Sequence, residues 1–243
     1  GNGMTYSFDP AAAGVAVHSI TYTVATGGGG CPAAASDDVE VFAVPSASLT
    51  IAANEDEYCV NDATVAISLA GSPTGGVYSG PGVTDLGTGI SFTFNPAAAG
   101  GGTATVTYTV TNSDGCSDSA TDDITVNDLP SVTMTVAGTG TCITAGIQTG
   151  LSGGDPTGGV YSGTGVSDDG NGMTYTFDPA IAGVGITTIT YTFTDGNGCT
   201  NSASDDEVVI STSATFTALA DLCIDSGIQN NIGGGAPTGG VYS

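Results

Sequence analysis

The stretch T-Y-T-F-D-P-A-I-A-G-V-G-I-T-T-I-T-Y-T-F-T-D-G-N-G-C, residues 174–199, reads as strand, capped turn, strand and hairpin in one pass. Tyr175 and Phe177 alternate with threonines. Ile189, Tyr191 and Phe193 then face one way while Thr190 and Thr192 face the other. Alternation of aromatic and β-branched residues with period two marks a strand with one buried face. Between the runs, Asp178 is a favoured N-cap, Pro179 suits the first helical position, and Gly183 suits the left-handed residue past the last turn. That piece predicts a single helical turn. The Gly/Asn cluster at 195–198 predicts a hairpin into a last strand that ends near Ile210. Upstream, 131–137 reads as a first strand, 143–151 as a second, and 159–163 as a short, glycine-flanked third.

This order of elements recurs along the chain. The motif F-[DN]-P-A-x-A-G begins at Phe8, Phe94 and Phe177, so Asp9–Gly14 and Asn95–Gly100 repeat the capped turn. G-G-V-Y-S stands at Gly75–Ser79, Gly158–Ser162 and Gly239–Ser243, and T-Y-T at residues 21–23, 107–109 and 190–192. Acidic pairs recur at Asp37–Asp38, Asp122–Asp123 and Asp205–Asp206. A fixed period is the mark of a repeat architecture, and one of about 83 residues suits one small β-sandwich per repeat. The expected fold is all-β: tandem immunoglobulin-like sandwiches with one helical turn at each D/N-P-A-x-A-G. The expected domains are a C-terminal half-repeat at 1–44, whole repeats at 45–127 and 128–211, and an N-terminal half-repeat at 212–243. The half-repeats fit a window cut from a longer array, whose true terminus is then absent. They also fit a subunit whose split ends complement each other head to tail.

Composition narrows the function classes. The chain has 24 Asp plus Glu, one His, and no Lys or Arg among 243 residues. Without Lys and Arg, nucleic acid is excluded as a partner, and so is an anionic membrane surface. No apolar run suits membrane insertion. No lysine isopeptide staple can form. A buried Asp must find hydrogen bonds, a proton or a metal ion. The chain is 40% apolar in alternating blocks, which argues against disorder. No enzyme is expected. The acidic pairs recur in every repeat, which suits a structural unit better than one active site. His18 has Ala104 and Thr187 as its equivalents, and no nucleophile triad, P-loop or dinucleotide fingerprint is present.

Several positions are candidates for specific roles. Extending the inward alternation of Val39 and Val41, and of Ile124 and Val126, back along the last strand turns Asp37, Asp122 and Asp205 inward. Each could accept backbone hydrogen bonds or help hold Ca²⁺, whose sites are built from oxygens. Asn127 and Asp128 are weaker Ca²⁺ candidates, and no cofactor is required. Tyr78, Tyr161 and Tyr242 in G-G-V-Y-S are the candidate contacts for a surface ligand such as a polysaccharide. The loop 168–172 reads as turn formers.

G-G-V-Y-S-G-T-G-V, T-F-D-P-A-I-A-G-V-G, I-T-Y-T-F-T-D-G-N-G-C and S-D-D-E-V-V-I resemble the tandem immunoglobulin-like repeats of large surface proteins of gliding and other Bacteroidetes-type bacteria. SprB-like adhesins and cargo of the type IX secretion system are examples. The resemblance covers nearly the whole chain. It implies an extracellular, cell-surface adhesin or filament whose partners are neighbouring repeats or identical subunits. Asp118-Ser119-Ala120 also matches the O-glycosylation pattern of these bacteria, which makes Ser119 a candidate.

The six cysteines follow the repeat. Cys59 to Cys116 and Cys142 to Cys199 are each 57 positions apart. An even, periodic count in an extracellular chain reads as disulfides. The conventional pairing is within repeats, Cys59–Cys116 and Cys142–Cys199. Cys31 and Cys223 then have partners outside the window or in a neighbouring subunit. Geometry opens an alternative. A seven-residue strand spans roughly 23 Å, whereas bridged Cα atoms lie within about 7 Å. A junction bridge, Cys59–Cys199, therefore stands beside the intra-repeat pairs, as do free thiols.

Overall fold

The computed structural model describes residues 5–24, 31–138, 140–216, 235, 236, 238, 240 and 241. The chain divides into two compact units, Gly1–Asp128 and Leu129–Ser243.

The first unit opens with the helical turn Pro10–Ala13 and a hairpin of Ala16–Val24 on Ala33–Val41. None of the described residues before Leu49 is buried. A sandwich follows. One sheet has the order Glu57–Cys59, Ser117–Asn127, Gly102–Thr111, Val77–Ser79. Its first pair is parallel, with Cys59 opposite Asn127, and the other pairs are antiparallel. The other layer holds Val65–Ser68, Ser91–Phe94 and Val83–Asp85, plus the short pair Ser48–Leu49 with Gly71–Ser72. The inward residues of both layers form one core: Ile67, Phe92 and Phe94 from one, Val106, Tyr108, Ile124 and Val126 from the other.

The second unit repeats the plan. Thr141–Cys142, Thr200–Ile210, Gly185–Thr194 and Val160–Ser162 form one sheet; Gln148–Leu151, Tyr175–Phe177 and Val166–Asp168 form the other. Thr133–Met134 pairs with Gly154–Asp155, and later Thr215–Phe216 pairs with Gly235–Ala236. Tyr175, Phe177, Ile189, Tyr191 and Val209 make its core.

The helical turns form as expected, at Pro10–Ala13, Pro96–Ala99 and Pro179–Ala182. Asp178 Oδ1 accepts from Ala180 N at 2.9 Å, and Gly183 takes φ 79°, where a side chain would be strained. The early strands are shorter than expected. Of 131–137 only Thr133–Met134 pairs, because the Val136 N–H donates to the Asp205 side chain at 2.8 Å and not to a neighbouring strand. Of 143–151 only Gln148–Leu151 pairs, since Ala145 N closes a turn onto Cys142 O.

Candidate functional site

Tyr78 and Tyr161 of G-G-V-Y-S are core residues, which corrects their expected role in ligand contact. Tyr78 is 2% exposed and Tyr161 3%. The alternation is phased the other way, with Val77 and Val160 facing out. Tyr78 stacks on Tyr108 with ring centroids 4.6 Å apart and on Phe92 at 4.7 Å. Tyr161 repeats this with Tyr191 at 4.6 Å and Tyr175 at 4.7 Å. Such tilted pairs contribute about 0.5–1.5 kcal/mol beyond the area they bury.

Buried hydroxyls need partners, and each tyrosine has one. Gly71 N donates to Tyr78 Oη at 3.0 Å and Gly154 N to Tyr161 Oη at 2.9 Å. Gly76 N donates to Tyr108 Oη, which donates to Pro73 O; Gly159 N donates to Tyr191 Oη, which donates to Pro156 O. The glycines of the motif serve this cluster. A Cβ on Gly76 would lie 2.4 Å from Tyr108 Cζ, and one on Gly159 would lie 2.5 Å from Tyr191 Cζ. Tyr242 lies outside the described residues.

Asp122 and Asp205 tie the segment just past the first strand of each sandwich to the last strand, while Asp37 is exposed. Asp122 Oδ2 accepts from Ile51 N at 2.7 Å and Oδ1 from Asp123 N at 3.0 Å. Asp205 does the same with Val136 N and Asp206 N. The Val136 and Asp206 N–H groups hold the Asp205 carboxyl below the usual carboxylate range. Asp37 Oδ1 accepts from Asp38 N. Asn127 Nδ2 donates to Glu57 Oε1, and the Asp128 carboxylate lies where a Cβ on Gly101 would fall. Among the described residues, no three His, Cys, Asp or Glu side chains come together to hold a metal ion. Sequence reasoning missed a second aspartate device. Asp85 Oδ1 accepts from Tyr78 N and Asp168 Oδ1 from Tyr161 N, at 3.1 and 3.0 Å. Its signal was the shared spacing of seven residues from Tyr78 to Asp85 and from Tyr161 to Asp168.

Cys59 and Cys199 are disulfide-bonded. Cys31, Cys116 and Cys142 are free thiols, and Cys223 lies outside the described residues. The intra-repeat pairs Cys59–Cys116 and Cys142–Cys199 are therefore not formed, and strand geometry gives the reason. Cys59 sits opposite Asn127, at the end of Ser117–Asn127, whereas Cys116 precedes its start. An eleven-residue strand separates them by roughly 33 Å, against about 7 Å for bridged Cα atoms. Cys142 stands likewise opposite Ile210, and Cys199 precedes Thr200, in the strand Thr200–Ile210. Ser119 is exposed on its strand, while neighbouring Asp118 accepts from Ala47 N.

His18 Nε2 bonds Gly14 O at 2.9 Å, a local contact on the exposed hairpin. In the second sandwich Glu207 is buried, at 6% exposure, and its Oε1 has no hydrogen-bond partner. Burial and the Glu207 charge push the Tyr175 hydroxyl up to about 12.

No family model matches the chain, and no curated protein matches it. Solved structures do resemble it. A Ca²⁺-stabilised adhesin that helps an Antarctic bacterium bind ice shares 16% identity and a TM-score of 0.39, covering 83% of this chain and 58% of that one. A 1.5-MDa bacterial ice-binding adhesin shares 15% identity and a TM-score of 0.37, covering 81% of this chain and 75% of that one. The N-terminal Ig1-2 module of the Drosophila receptor tyrosine phosphatase DLAR shares 13% identity and a TM-score of 0.26, covering 70% and 100%. The chain spans little more than half the length of the first of these.

Proposed function

We propose that this chain is a structural, adhesive repeat region of a secreted filament or stalk on a cell surface. One observation carries the reading: in the two complete sandwiches, the recurring residues are spent on the sandwich's own fold. The tyrosines fill cores, the aspartates bridge strands, and the D/N-P-A-x-A-G pieces cap one turn. Repeats with these self-contained devices suit a spacer copied along a chain. A disulfide fits an oxidising, extracellular compartment. A net charge of −24 keeps such an array soluble and self-repelling. A glycan-binding array loses its proposed platform with the burial of Tyr78 and Tyr161. Membership among the surface adhesins of gliding bacteria, and decoration of Ser119 with sugar, belong to this reading as its finer points. Immunogold labelling of intact source cells tests it. Dense surface label in extended structures is the expected result, and label only after lysis would overturn it.

A further inference from the structure

The second sandwich has a polar cavity that the first lacks the residues to build. Three apolar positions of the first repeat change character together, and two of the replacements, Gln148 and Glu207, stand in the cavity wall. The register that sets Val65 opposite Phe94 sets Gln148 opposite Phe177. The cross-strand pair Ala104 and Ile124, 2% and 0% exposed, becomes Thr187 and Glu207. A register shift between Gln148 and Leu151 accompanies the change. The result is a cavity of about 270 Å³ lined by Glu207, Gln148, Thr141, Ser152, Tyr175 and Phe177. This is near the lower end of small-ligand sites, about 300–1,000 Å³.

A buried carboxylate oxygen without a partner, such as Glu207 Oε1, is costly unless the group is protonated or meets a cation. The chain has no Lys or Arg to offer. Ca²⁺ wants six to eight oxygens, most of them charged or carbonyl, and Glu207 belongs to no cluster of three metal-binding side chains among the described residues. An alkylammonium group needs less. One carboxylate, a few neutral acceptors and aromatic walls that attract cations suffice. We propose that this cavity binds a primary ammonium group, with Glu207 as its counter-ion.

The ammonium could be that of a free amine or of a partner protein's lysine side chain, and one titration distinguishes the two. The whole 243-residue chain, at pH 7 and fixed ionic strength, is titrated with n-butylammonium chloride and with the peptide acetyl-Gly-Lys-Gly-amide. The amide NMR signals of Gly150 and Ser152 report binding. Saturable shifts are expected, at least tenfold weaker in Glu207→Gln. Binding of butylammonium alone assigns a free amine; tighter binding of the peptide assigns a protein lysine. Glu207→Ile restores the residue type of Ile124 and is expected to fold while abolishing the response. Overturning results are absence of saturable shifts, equal shifts in both variants, or shifts with CaCl₂ in place of the amines.

Discussion

Tyr191 and the glycine facing it show how a five-residue motif acts at the scale of single atoms. The ring is fully buried, its hydroxyl is satisfied on both sides, and Gly159 leaves the room it occupies. Gly159→Ala would put a methyl 2.4 Å from Thr192 O and 2.5 Å from the Tyr191 ring. Overpacking of this kind costs about 1–3 kcal/mol, several degrees of melting temperature for a domain of this size. Gly196→Ala, in open space, is the control and is expected to melt as the wild type. Equal melting of both variants would refute the packing role. The thiols give a second test. Alkylation followed by non-reducing peptide mapping should tag Cys116 and Cys142 and leave Cys59 and Cys199 oxidised. A Cys59–Cys116 or Cys142–Cys199 peptide would contradict this pattern. The sequence revealed that G-G-V-Y-S mattered but not which way its tyrosine faces. A three-residue strand between glycines has too few alternating positions to set its own phase. Glu207 was legible in principle, because it stands in phase with Asp205 and Val209 where the first repeat has Ile124. Its cavity was not, since that depends on the register shift in a facing strand.

At the scale of elements, the aspartate bridge sets how the first strand meets the last. Asp205 accepts two backbone N–H groups, and these hold its carboxyl below its ordinary value. A depressed folded value means that the bridge contributes stability above the unfolded value, about pH 3.9, and that the contribution fades as pH falls through the folded one. Asp205→Asn keeps an amide oxygen that can accept from Val136 but cannot titrate. Its melting temperature is expected to vary less than wild type below about pH 4. Parallel acid profiles for the two proteins would sink the assignment. The capped turn was readable residue by residue, because Asp or Asn, Pro and Gly each fill one defined slot. The first strands were overread, because a side-chain acceptor took an N–H that the alternation pattern assigned to a ladder.

At the scale of the molecule, two cores, within 49–126 and 134–209, are built from the same devices. The period carried the architecture, since a block repeated in one order must repeat the fold that buries it. Disulfide pairing was less readable, because equal spacing of 57 residues says nothing about which end of a strand each cysteine occupies. What an array of such repeats does can be seen by electron cryo-tomography of native cell surfaces. Regularly beaded strands that project from the surface and bind antibodies against this chain are expected. Antibody confined to compact, unextended particles, or to the cell interior, would contradict the proposed filament or stalk.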